Sequence, residues 1–267
     1  MIHVFLFELR SLARGFAVAA VALLGLLVLF VGGAYPIYRD AKPQVMAILD
    51  DFPPQFAAAF GVSDDIFTFA GFYRFSYLYL ALIAAIAAGS WGLGSFSRER
   101  RAKTLDFLLT MPVGRGGVFA AKLFACLTGV AVVGALYVGA LQLVATAVDD
   151  GAGVEAGHLA VASLAVPGVA VVFLAFGALL GVALRRVRSV PGIATGLGVM
   201  GFATASLPGL TGEDSWRAIA PFLYFSQDTA LGEGRFETGW LVAAAAVAVC
   251  CFAVSWVLFV RKDVRAR

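Results

Sequence analysis

Two stretches of this chain carry almost no charge over lengths that a water-soluble fold does not sustain. Phe16 to Ala34 has no charged residue, and Val118 to Val148 has only Lys122. A helix that crosses the hydrocarbon core of a bilayer needs about 20 consecutive apolar residues. Backbone groups at that depth must bond within their own segment or a closed barrel, so runs of this length predict spanning helices. Composition agrees, with 61% of the 267 residues hydrophobic and 14% charged, against roughly a half and a quarter in soluble domains. A soluble enzyme, a secreted disulfide scaffold and a disordered chain are excluded. The expected fold class is all-α and polytopic, a single transmembrane domain.

Six spans are expected, at Phe16–Pro36, Tyr73–Phe96, Val118–Val148, His158–Leu184, Pro191–Pro208 and Thr238–Val260. The third exceeds what a bilayer requires, which predicts tilt or protrusion. The fifth is short, rich in glycine and bracketed by prolines, and a five-span plan is the alternative there. The first run follows a fifteen-residue stretch and has no small-residue cleavage site, so a secretory signal peptide is not expected.

Charge predicts the orientation. One side would hold the leading segment, the 97–117 and 185–190 loops and the last residues, with fourteen Lys and Arg, fifteen with Lys122 just inside span three, against four acids. The other side would hold Arg39, Lys42, Arg74, Arg217 and Arg235 against thirteen acids. Lys and Arg concentrate on the cytoplasmic side of membrane proteins, which predicts both termini inside. The basic balance then reflects topology and not nucleic-acid binding.

His3 and His158 are the only histidines, and Cys126, Cys250 and Cys251 all fall inside apolar runs. No metal-ligand spacing and no disulfide framework can be built from them, so no metal site is expected. No GxxxxGK[ST] motif occurs, and the only Lys-Thr pair, Lys103-Thr104, follows Ala102 without a glycine loop. The chain is not expected to bind ATP or to be an enzyme by itself.

The connecting segments are informative. Residues 1–15 carry apolar groups at helical spacing, with Glu8, Arg10, Ser11 and Arg14 as polar positions. They predict an interfacial helix lying at the inner surface, with a simple extension of span one as the alternative. The 37–72 segment holds apolar patches at Val45–Leu49 and Phe56–Phe60, each short enough for a surface helix. The 209–237 segment is too apolar for free solvent, and its aromatic residues predict an embedded outer hairpin or a loop packed on the helix ends.

In the 97–117 loop, Leu105, Leu108, Leu109 and Pro112 recur at three or four residues. This predicts a short amphipathic helix over Arg98–Thr110, ended by Pro112 and the glycines after it. Such a helix, basic on one face, fits a partner's groove or an anionic lipid surface. The string Glu99, Thr104-Leu105-Asp106, Leu108-Leu109, Pro112-Val113, Arg115 and Lys122 resembles the loop of ABC type-2 exporter permeases. Lys103 and Gly114 depart from that pattern, where glycine and serine are usual. Phe7-Glu8-Leu9-Arg10 before span one, Gly71-Phe72 before span two and the six-span plan are similar to the same family.

The resemblance implies a permease subunit paired with a second copy or a homologous permease, and with two cytoplasmic ABC ATPase subunits that hold ATP and Mg. It implies a coupling role for Glu99, Arg100, Thr104, Leu105, Leu108, Leu109 and Pro112, with Arg115 and Lys122 anchoring the loop near lipid phosphates. It also draws attention to spans two and five as path or dimer seam, at Trp91, Gly192, Thr195 and Gly196. Gly177/Gly181 and Gly192/Gly196 are small-xxx-small pairs that let helices approach, and packing within the chain is the plainer use of them. Aromatic residues around span two suit a hydrophobic or amphipathic substrate. The expected location is the cell membrane.

Rival mechanisms find less support. A secondary transporter usually carries ionisable groups near the midplane, and here Lys122, Arg74 and His158 fall at expected span ends. A channel wants rings of charge or a filter loop. A non-transporting scaffold that recruits a partner is the main alternative to an exporter.

Overall fold

The computed structural model describes residues 2–43, 64–102, 114–148, 154–212 and 214–261. Among these residues there are helices and turns and no strand. Among the described residues six helices are long and apolar enough to cross a membrane, Val190–Thr211 among them. The patches expected at 45–49 and 56–60 lie outside the described residues.

The first span is one helical rod, Ile2–Asp40, 39 residues long. It comprises α1 (Ile2–Leu27), a π-helical stretch (Val28–Ala34) and α2 (Tyr35–Asp40). At about 1.5 Å per residue the rod far exceeds a hydrocarbon core of about 30 Å. Pro36 has no N–H and crowds the carbonyl four residues before it, and the wider π turns absorb that fault. The leading residues are therefore not a separate interfacial helix, as expected above. They continue span one without a break, because the buried stripe Leu12, Ala19, Leu23 and Leu27 extends back to Glu8.

The second span is α3 (Phe69–Ala102) and the third α4 (Arg115–Val148). The fourth is α5 (Ala156–Ser163) and α6 (Ala165–Ala183), which meet at Leu164. Pro167 supplies no N–H for the Ser163 carbonyl, which accounts for the interruption. The fifth is α7 (Val190–Thr211). Its start is capped by the Ser189 hydroxyl, which accepts from the Gly192 N–H at 3.1 Å, and its end by left-handed Gly212 at φ 72°. The segment that follows makes two 3₁₀ turns, Asp214–Ile219 and Pro221–Tyr224, then α8 (Gln227–Glu233). The sixth span is α9 (Thr238–Arg261).

The segment between spans five and six packs on the ends of the helices. Ala220, Phe222, Tyr224, Phe225, Ala230 and Leu231 are buried. The Tyr77 hydroxyl donates to the Phe222 carbonyl at 2.9 Å, and His158 Nδ1 lies 3.2 Å from the Leu231 carbonyl. Arg217 grips both oxygens of Glu237, at 2.8 and 3.2 Å, and its guanidinium lies 4.8 Å from the Trp240 ring centre. The segment is thus pinned to spans two, four and six.

α3 and α6 form the central pair, and glycine sets their separation. A Cβ added at Gly92 would sit 2.6 Å from the Leu174 carbonyl oxygen, and one added at Gly177 would strike the Gly89 carbonyl. In an open helix, alanine is better than glycine by about 1 kcal/mol. Here that preference should reverse, since overpacking costs about 1–3 kcal/mol. Gly177→Ala is expected to lower the melting temperature in detergent by several degrees, while Gly25→Ala, where nothing lies within 4 Å, leaves it unchanged or slightly raised. Parallel thermal melts of the two variants check this, and equal melts would discard the close-approach account.

Candidate functional site

The ends of α1, α3 and α4 gather at one end of the bundle together with the 184–189 turn and the close of α9. This basic end holds a buried ionic cluster. The Lys122 ammonium donates to Glu8 Oε1 at 2.7 Å and to the Ser95 carbonyl at 3.0 Å. Arg98 Nη1 donates to Glu8 Oε2 at 3.1 Å, and the Ser95 hydroxyl reaches the same oxygen at 3.3 Å. The Glu8 and Lys122 side chains are 3% and 1% exposed, whereas Arg98 keeps 27% and leads outward.

Local geometry explains the arrangement. Glu8 lies four residues from Leu12, so it faces the bundle on the same stripe as the apolar groups. Ser95 and Arg98 are three apart on α3 and share a face. Lys122 lies seven residues into α4, about two turns below its start. Two ions out of water cost several kcal/mol each, and the paired geometry with its added hydrogen bonds offsets this. The cluster continues inward as the Cys126 thiol reaches the Trp91 carbonyl at 3.8 Å.

Its position gives the cluster mechanical meaning. Arg98 stands on the last turns of α3 and Lys122 on the second turn of α4, so they flank the 103–113 segment. Glu8 ties both to the first span. A displacement of either stalk must move α1 or break a buried ion pair.

Several expected site residues fall elsewhere. Lys122 does not reach lipid phosphates, because the seven residues that precede it in α4 carry it into the bundle, where Glu8 holds it. Arg115 opens α4 half-buried, and its Nη1 donates to the Val260 carbonyl at 3.3 Å, joining the loop's exit to the last span. Glu99 and Arg100 belong to α3, which runs to Ala102, so the expected amphipathic helix shares its first residues with span two. Thr104, Leu105, Leu108, Leu109 and Pro112 lie outside the described residues.

Trp91 is buried, edge-on to Phe16 with ring centres 4.7 Å apart. It lines a small apolar void between the first four spans, along with Ala87, Val130 and Pro167. Gly192, Thr195 and Gly196 are exposed on α7. Trp91 therefore faces the interior of the bundle, whereas the three α7 residues face outward. Gly177 and Gly181 pack against α3 within the chain.

Glu8 is the residue that pattern reading missed as a site. The available signal was a lone carboxylate on the apolar stripe of an otherwise uncharged face.

Six helices long and apolar enough to cross a membrane fit a multi-pass membrane protein. Residues 9–206 match the model of the ABC-2 family transporter proteins. The chain belongs to that family and is the membrane permease subunit of an ABC transporter. The match runs from span one into span five and includes Arg98, the 103–113 segment and Lys122. Among curated proteins, none matches the chain.

Proposed function

We propose that the chain is the permease of an ATP-driven exporter whose 97–117 loop is the mechanical input. The observation that carries this reading is the Glu8 cluster, which locks both stalks of that loop to the first span. A force applied to residues 103–113 would pass through Arg98 and Lys122 into α1, instead of being lost in a slack connection. Orientation follows from the charge bias, with the basic end, the 97–117 loop and both termini in the cytoplasm.

In this reading Leu105, Leu108 and Leu109 dock in a groove of a separate ABC ATPase, and Glu99, Arg100, Thr104 and Pro112 orient the segment. ATP and Mg are held by that partner. Two permeases pair with two ATPases, and the exposed face of α7 at Gly192, Thr195 and Gly196 supplies the seam between permeases. The cargo is hydrophobic or amphipathic and moves outward.

The test is an affinity isolation from native membranes that contain two differently tagged copies of the chain, extracted in mild detergent. The expected eluate holds both tags and an ATP-hydrolysing subunit at about one per permease. An eluate free of ATPase activity would overturn the coupling role, and a single tag would overturn permease pairing.

A further inference from the structure

At the basic end a second feature lies beside the ionic cluster and takes no part in it. Ser97 and Arg101 of α3 and the turn Leu184, Arg185, Arg186, Val187 and Arg188 line a cleft of about 530 Å³. Arg101, Arg185, Arg186 and Arg188 are all exposed. Arg101 donates to the Gly94 carbonyl at 3.4 Å, and among the carboxylates whose side chains the structure describes none pairs with any of the four. Glu8, the buried acid at this end, already serves Lys122 and Arg98. Four guanidinium groups around one cleft repel one another unless an anion enters.

We infer that this cleft binds the phosphate of an anionic phospholipid. Guanidinium forks match phosphate oxygens bidentately and stay charged at any physiological pH. Depth decides between a lipid and a soluble phosphate. The walls are the end of span two and the turn that leaves span four, which places the cleft at the level expected of the headgroup layer. Leu184 and Val187 also add apolar surface beside the arginines, which an amphiphile uses and a free anion does not. Basic pockets between span ends are a recurrent form of lipid-headgroup recognition.

The test compares two double variants of equal charge loss in the full chain, purified by size exclusion. Arg186→Gln/Arg188→Gln empties the cleft. Arg10→Gln/Arg14→Gln removes exposed charge from α1 at the same end. Each is placed in phosphatidylcholine nanodiscs doped with phosphatidylglycerol, and retained phosphatidylglycerol is counted by native mass spectrometry. The cleft variant should lose retention by about tenfold or more, and the α1 variant by less than about twofold. Equal losses in both would mean a diffuse field and overturn the site. In unsubstituted protein, inorganic phosphate at equal concentration should displace little lipid, and efficient displacement would assign the cleft to a soluble phosphate instead. Undiminished lipid retention with loss of a co-purifying ATPase would make the cleft a protein dock and overturn the lipid assignment.

Discussion

Glu8→Ala is expected to destabilise the folded permease by about 3–5 kcal/mol, the range for leaving one member of a buried ion pair without its partner. The loss arises from Lys122 more than from Glu8. With the carboxylate gone, an ammonium fully enclosed by the bundle loses its ionic partner at 2.7 Å while the Ser95 carbonyl still accepts from it. Arg98 suffers less, because its side chain can turn to solvent. The measurement is the midpoint of thermal aggregation in detergent, together with the yield of monodisperse protein. Glu8→Ala should abolish or sharply reduce both. Glu8→Gln/Lys122→Met removes both charges and keeps volume, and should recover most of the loss. Replacing a buried pair by apolar groups is often neutral, whereas breaking it is not, and the double variant separates a charge effect from a packing effect. A Glu8→Ala variant that melts like the parent, or a double variant as poor as the two singles combined, would remove the cluster from any account of the fold. The recovered double variant has a further use. If the cluster transmits force as well as stabilising, that variant folds yet couples poorly to its ATPase.

The spans were legible because a bilayer makes a blunt demand. Uncharged runs of sufficient length have few other fates, and this held even for Val190–Thr211, whose glycines and prolines weaken any local helix signal. What was not legible depended on separation along the chain. Glu8 meets Arg98 and Lys122 across 90 and 114 residues. A reading by local pattern assigns an isolated carboxylate to water, since only distant partners make its burial tolerable. Lys122 was misplaced for a related reason. Counted along the chain it begins an apolar run, but α4 starts at Arg115, and seven residues of helix descend about 10 Å. The glycines show a third kind of gap. Spacing marks Gly177/Gly181 and Gly192/Gly196 equally as close-approach pairs, and only the fold shows that the first pair faces α3 while the second faces outward.

Leu108→Asp is the complementary prediction, since it should leave the fold intact and remove the coupling. Leu105, Leu108 and Leu109 recur three or four residues apart in the 103–113 segment, with Lys103 and Arg115 near them in the sequence. If those leucines dock in an ATPase groove, an aspartate there places an unpaired charge in a desolvated contact, which costs several kcal/mol. None of the ions braced by Glu8 is altered, so insertion and melting should match the parent, in contrast to Glu8→Ala. Leu108→Met keeps the apolar volume and should behave as the parent. The readout needs no knowledge of the cargo. It is the ratio of ATPase to permease recovered on isolation, and the ATP turnover of the complex relative to the ATPase alone. The aspartate variant should lose about tenfold or more in recovered partner, or retain partner whose turnover no longer responds to the permease. The second result would be the more instructive of the two, because it separates docking from transmission along the same segment. Unchanged recovery together with unchanged response would reject the loop as the input. The Glu8 cluster would then be left as a structural brace that stiffens one end of the bundle, and the site of ATPase engagement would have to lie on another part of the basic end.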